Sequence, residues 1–420
     1  MVYTLPRGRE RRSWLLVSAW MVVLYSTVPV ARRIQAFVDD RWGRQVFTSG
    51  VLAVLIVGLG LALLYAYRHR SLVTGKRAAW LVGIAVVYAY FTMSLQENPE
   101  ESLHFVEYGI LAYLLFRALS HRVRDPSIYL AATLLGAIVG LGEEVLQWAT
   151  PRRYFDFRDV ALNTLSVLLV QMAVDKGFKP AVIQHAFRPR SLSRVCAIAA
   201  TLVVMVGLCL SNTPPVIRWY TGPFRFLSFL RGEDNIMTEY GYAVHDPEIG
   251  LFFTRFTVER LKETDARRAR EAARILDAYG SPAQYPLFLK LFTPFNDPFL
   301  HELRVHLFRR DRYRGAAWKY RDDPPEYVNH LTIAHRENQI LEKYFGRTLG
   351  LSRHVLAARD RALLESRYDR TARYVSAVSA SLITSFRPWQ VWLAVLVLLV
   401  ALKMGRLLCA RAEARRGAAS

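Results

Sequence analysis

An all-α polytopic membrane protein with one helical domain inserted outside the bilayer is the fold class this sequence predicts. Three observations carry that prediction. The 420-residue chain is both apolar and basic, 52% hydrophobic with a formal net charge of +21 and a mean hydropathy of +0.13. That pairing suits a membrane chain and excludes a disordered or purely soluble one. The apolar residues gather in eight runs, each about the 17 to 25 residues needed to cross a hydrocarbon core. Between Asn212 and Pro388 no such run occurs, and that stretch is long enough to hold a core of its own.

Taken in order, residues 1–77 supply two spans, about Trp14–Ala31 and Val46–Tyr67. Residue 31 is followed directly by Arg32-Arg33 and the preceding apolar run is long for a secretion signal, so a retained span is expected rather than a cleaved leader. Residues 78–175 form a four-helix membrane core with spans at about Ala78–Leu95, Leu103–Leu119, Ile128–Trp148 and Asp159–Val174. Residues 176–212 are a cytoplasmic loop and a seventh span, Val195–Ser211. Residues 388–420 hold the last span, Trp389–Gly405, and a basic tail. Aromatics and arginines flank these runs, as expected at membrane interfaces.

Lys and Arg orient the bundle, because loops rich in them stay in the cytoplasm. With both termini inside, the cytoplasmic segments carry 21 Lys and Arg against 7 in the short outer loops. Residues 213–387 then lie outside the cell membrane, extracytoplasmic. The same count accounts for the charge: this outer domain is only +7, so most of the excess is topological and nucleic-acid binding is not expected. Cys196, Cys209 and Cys409 form no CxxC pair, which removes a disulfide framework and a cysteine-ligated zinc.

The outer domain, residues 213–387, reads as all-α. Asp246-Pro247-Glu248 and Asp297-Pro298 are helix-start signals, and helices are expected at about 265–279, 298–312, 325–345 and 352–385, the third stopped by Gly346. Val216–Leu230, with Trp219, Phe224 and Phe226 among arginines, reads as a segment lying on the membrane surface. His301 with His306, and His330 with His335, are five apart, about 140° round a helix, so neither pair clamps one ion; they read as polar-face histidines and no metal is expected. Arg304, Arg309, Arg310, Arg312 and Arg314 read as a solvated or headgroup-facing surface. No phosphate-binding Gly-rich loop and no Ser/His/Asp motif is present, and no cofactor is expected.

Ionisable groups at membrane depth are costly unless paired or facing water, so they mark candidate sites. His104, Glu107 and Tyr108 fall at i, i+3 and i+4 on the fourth span. Gly136, Gly140 and Glu144 form an i, i+4, i+8 stripe on the fifth, with Gln147 three residues on; the GxxxG spacing lets another helix approach where Glu144 is buried. Asp159, Asn163 and Ser166 repeat the pattern on the sixth, and the loop Thr150–Arg158 supplies Arg153, able to pair with Glu144 or Asp159. By the orientation above these groups converge on one leaflet as an outward polar pocket. They read either as a ligand or catalytic pocket or as an ion-pair network locking a helix-loop-helix turn in register.

His104-Phe105-Val106-Glu107-Tyr108, followed by Glu144-x-x-Gln147-x-x-x-Pro151-x-Arg153-x-x-Asp156-x-x-Asp159-x-x-x-Asn163, resembles the signature of the VanZ-like family, named for a teicoplanin-resistance membrane protein. The resemblance covers about residues 78–175 and implies a membrane core acting at the bacterial envelope, in the inner membrane, with a possible link to glycopeptide resistance. It names no reaction. Where the family often has a Gly, Ser166 stands, which implies slightly looser packing of the sixth span.

Three functions follow. In the first, His104, Glu107, Tyr108, Glu144, Gln147, Arg153, Asp156, Asp159 and Asn163 bind a polar envelope component, a lipid headgroup or cell-wall precursor, with Arg153 on its anion. The second makes Glu144 or Asp159 a general base with His104 as proton partner, acting on a lipid-linked substrate. The third is a scaffold whose outer domain recruits envelope proteins. Membrane lipids are the expected partners in all three.

Overall fold

A computed structural model of the chain describes residues 7–68, 74–95, 99–151, 153–232 and 235–418. Arg152 of the predicted connecting loop, and parts of two other predicted loops at 69–73 and 96–98, lie outside them. The chain divides into two compact units, Met1–Cys209 with Trp392–Ser420, and Leu210–Val391.

The first unit is a helix bundle. Its helices are α1 (Arg7–Thr27), α2 (Ala31–Trp42), α3 (Gln45–Arg68), α4 (Gly75–Ser94), α5 (Leu103–Leu119), α6 (Ser127–Trp148), α7 (Phe157–Met172) and α8 (Pro189–Ser211). Among the described residues, seven helices of the chain are long and apolar enough to cross a membrane, and α1 with α2 is an eighth candidate, bent by 70°. The predicted first span therefore ends early. Pro29 lacks an N–H and cannot continue α1, and α2 carries Arg32, Arg33, Asp39, Asp40 and Arg41, which apolar surroundings would not accept.

Helices in lipid gain little from burying apolar surface against one another, so close packing and interhelical hydrogen bonds hold them. On α6 a Cβ added at Gly136 would lie 2.6 Å from Val167 Cγ2, and one at Gly140 3.0 Å from Asn163 Cβ. The glycine stripe thus meets α7, as the GxxxG spacing predicts. Ser166 is fully buried; its hydroxyl donates to the Phe105 carbonyl at 3.1 Å and lies 2.9 Å from the Tyr88 hydroxyl. The expectation of looser packing there is wrong, because the hydroxyl replaces a missing contact with a tie to two helices.

The second unit contains α9 (Pro214–Thr221), β1 (Tyr242–Asp246), β2 (Gly250–Thr254), α10 (Val258–Ala278), α11 (Tyr285–Leu291), α12 (Pro298–Ala317), α13 (Pro324–Tyr344), α14 (Gly346–Leu351) and α15 (Ala358–Arg367). The last helix of the chain, α16 (Pro388–Ala418), belongs mostly to the first unit, from Trp392 on. Phe252, Leu261, Phe288, Phe299, Leu303, Ile340 and Phe345 share the core of this unit.

Two expectations about secondary structure fail in this unit. Asp246-Pro247-Glu248 starts no helix: it turns an antiparallel hairpin, with Asp246 Oδ1 accepting from the amides of Glu248 (3.0 Å) and Ile249 (3.3 Å) and Gly250 at φ +114°. The predicted helix 352–385 survives only as α15. Beyond it the chain runs along the hairpin, where Tyr374 O accepts from Leu251 N (2.9 Å) and Ser376 N donates to Leu251 O (2.8 Å). An available strand edge, together with Val375, Ser376 and Val378, outweighs local helix preference. Asp297 caps α12 as expected, accepting from Leu300 N at 3.1 Å.

The histidines and arginines of α12 and α13 are mostly not on a polar face. His301, His306 and His335 are buried, and His306 Nδ1 lies 2.6 Å from Glu337 Oε2. Glu337, fully buried, also accepts from Tyr374 Oη (2.6 Å) and Ser376 Oγ (2.8 Å) and pairs with Arg309 (3.0 Å). Arg304 is buried over the Tyr285 ring, Arg310 is buried beside Asn338, and Arg314 pairs with Asp360; of the five arginines only Arg312 is exposed. Chain length let these side chains fold inward and pair, which charge alone could not indicate.

Candidate functional site

The site lies where α2, α3, α5 and the α6–α7 loop meet. Glu144, one residue short of the last turn of α6, has no exposed surface. Its Oε1 accepts from Gln147 Nε2 at 2.6 Å, and its Oε2 accepts from the Asp156 amide at 3.0 Å. Arg153 donates to Gln147 Oε1, and so reaches Glu144 through Gln147 rather than by the direct ion pair expected. Asp156 then caps α7, accepting from Arg158 N at 2.7 Å. One carboxylate thus fastens the end of α6 to the start of α7. That geometry needs a residue three positions on from Glu144 and a loop of the present length.

Above this fastening is a cleft of about 430 Å³. His104, Gln147, Arg153 and Asp159 line it, joined by Arg32, Gln35, Asp39 and Asp40 of α2, by Arg44, and by Glu100 and Glu101 before α5. Glu144 sits beneath rather than in it. Five lining carboxylates face three guanidiniums, with His104 beside them. Two of these carboxylates are paired, Asp39 with Arg44 at 3.2 Å and Glu101 with Arg158 at 3.3 Å. Among the described residues, Glu100 Oε2 and His104 Nδ1 are buried with no hydrogen-bond partner, the latter 3.6 Å from Glu107. The cleft therefore offers both charge signs and unspent polar atoms.

The remaining predicted residues turn elsewhere. Tyr108 is fully buried and donates to Glu143 Oε2 at 2.6 Å, passing over Gly140, whose missing side chain leaves room for its ring. Asn163 is buried against Gly140, with neither side-chain polar atom hydrogen-bonded among the described residues. Sequence reasoning missed Glu143 and the α2 residues. Glu143 follows the same intramembrane-acid rule as its neighbour and lies about 100° round the helix, facing α5. Arg32, Gln35, Ala36, Asp39 and Asp40 repeat at helical spacing, a signal lost by treating 32–45 as a loop. Among the described residues no three potential metal ligands converge.

An apolar groove of about 900 Å³ is lined by residues further along two of the same helices. On α3, Phe47 lines the cleft and Val51, one turn on, lines the groove; on α5, His104 lines the cleft and Phe105 the groove.

No curated protein and no solved structure matches the chain. The family model described as VanZ/LLP1 matches residues 11–174. That span takes in α1 to α7 and extends the motif resemblance, which begins near residue 78, back through α1 and α3, the helices packed beside α5. The bundle carrying the cleft, residues 11–174 of this membrane protein, is thus VanZ-like.

Proposed function

We propose that the cleft holds the polar headgroup of an envelope amphiphile, a lipid or a lipid-linked cell-wall precursor, with its chain in the apolar groove. The observation that carries the reading is that a two-signed polar cleft and an apolar groove are lined by successive residues of the same two helices, α3 and α5. Arg153, held at the rim by Gln147, meets an anionic group of the ligand. The surplus of carboxylates suits an ammonium or hydroxyl group on the same headgroup. Glu144, Asp156 and Asn163 position the rim without touching the ligand. The Lys and Arg distribution orients the cleft outward in a bacterial inner membrane, with both termini cytoplasmic and residues 213–387 outside. Capture of a cell-wall precursor is also the reading under which a link to glycopeptide resistance would follow.

Native mass spectrometry of the detergent-purified chain, after exposure to a bacterial polar lipid extract, tests the proposal. Wild type should retain a lipid that Arg32→Ala and Arg153→Ala lose while both variants stay folded. Equal retention in all three would overturn it. A catalytic reading has one supporting observation: Asp159 and His104 line the same cleft, whereas Glu144 does not. It requires turnover of a lipid-linked substrate that Asp159→Asn abolishes while the bound lipid persists.

A further inference from the structure

The opposite end of the bundle carries a second cavity, of about 620 Å³, with a different character. It lies at the start of α4, a 20-residue helix about 30 Å long whose far end precedes Glu100 and Glu101 of the first cleft. Lys76, Arg77, Lys176, Lys179 and His185 line it, and Asp175 is the carboxylate in its wall, already paired with Lys176 at 2.7 Å. Where the outward cleft has more carboxylates than guanidiniums, this one has four Lys and Arg against one acid.

Two features of the fold assemble it. Thr74 precedes α4 but its side chain makes no cap, and the first intrahelical bonds are Arg77 N and Ala78 N to Thr74 O, so the amides of Gly75 and Lys76 precede the ladder and face an anion-favouring helix end. After α7 the chain makes a π-helical turn, Ala173–Phe178, and closes on Lys179 at φ +46°, whose amide donates to Val174 O at 2.8 Å. Gly177 lets that turn sit against α4: a Cβ there would lie 2.4 Å from Leu81 Cδ2. Lys176 and Lys179 are thereby carried to the mouth of the cavity lined by Lys76 and Arg77.

The cavity does not stop at the polar residues. An apolar groove of about 430 Å³ shares Lys76 and Trp80 with it and continues past Ala79, Gly83, Val87 and Met172. Trp80, 40% exposed, stands at the junction, a residue type that favours the boundary between headgroups and chains. A soluble anion would use the basic end alone; a phospholipid uses both.

We infer that this cavity is a binding site for an anionic phospholipid, its phosphodiester on Lys76, Arg77 and Lys179 and one acyl chain along α4 beside Gly83. Basic pockets between membrane helices hold such headgroups through charge that zwitterionic lipids do not match. The site is independent of the outward cleft and stands or falls separately.

The full chain in detergent is titrated with phosphatidylglycerol or phosphatidylcholine and bound lipid is counted by native mass spectrometry. Wild type should prefer phosphatidylglycerol. The double variant Lys76→Gln/Lys179→Gln should lower its affinity about thirtyfold, from roughly 1 kcal/mol per basic group. Gly83→Leu, where an added Cβ meets nothing within 4 Å, fills the groove and should weaken the same lipid without unfolding the chain. Equal binding of the two lipids, or a preference that survives the double variant, would overturn the site. If inorganic phosphate displaces the lipid and Gly83→Leu has no effect, the ligand is a soluble anion and the lipid assignment fails.

Discussion

Replacing Glu144 separates a residue that fastens the site from one that contacts a ligand. Its two oxygens serve two donors, Gln147 Nε2 and the Asp156 amide, in a carboxylate with no exposed surface. Glu144→Leu leaves both donors without an acceptor, and a buried donor left unsatisfied costs about 1–3 kcal/mol. The expected loss is therefore about 4 kcal/mol. At roughly 2–4 °C per kcal/mol for a unit of this size, the melting midpoint falls by about 8–16 °C. Glu144→Gln keeps one carbonyl acceptor and presents an amide donor to the other partner, so about half the loss is expected. Asp159→Asn is the contrast, because no hydrogen bond ties that side chain among the described residues and it lines the cleft; its stability should stay within about 1 kcal/mol of wild type. Thermal unfolding of the purified chain, followed by tryptophan fluorescence, orders the three. A Glu144→Leu protein that melts like wild type but no longer retains lipid would refute the reasoning and make Glu144 a ligand-contacting group.

Gly136→Leu should force α6 and α7 apart, since even a Cβ would lie 2.6 Å from Val167; a cost of about 1–3 kcal/mol and a lower midpoint are expected, while Gly83→Leu stays near wild type. In the outer domain, Glu337→Leu strands His306, Arg309, Tyr374 and Ser376 at once, and a loss of about 3–5 kcal/mol should appear as early unfolding of that unit. Burial, aided by Arg255 for His301 and by Arg336 for His335, holds both imidazoles down at about 4. The unfolded chain takes up those protons near 6.5. The stability tied to neutral histidine is therefore complete above about pH 6.5 and drains away as pH falls towards 4. Protease sensitivity of the outer domain should rise across that window, and His335→Gln should flatten the rise.

What the amino-acid sequence determined by itself was everything governed by composition and period. Apolar runs had to be spans, because nothing else in the chain could satisfy a lipid surroundings. Gly136 and Gly140 had to meet a neighbour, since small residues at that spacing expose backbone to close approach. Glu144, Gln147 and Arg153 were legible as one group because helix geometry and a short loop confine them. The partner of each polar atom was not legible. His104 and Tyr108 share a helical face, yet one lines a cleft and the other reaches Glu143, a choice made by which helix packs alongside. The bend at Pro29, which swings α2 over the cleft, could be read as a break but not as a direction. Residues 368–385 read as helix locally, yet Tyr374 to Ser376 became an edge against the hairpin, because hydrogen-bonding groups far away in the chain were waiting there. Periodicity is a local property of the chain; pairing depends on atoms brought together across dozens of residues, and only the tertiary structure decides them.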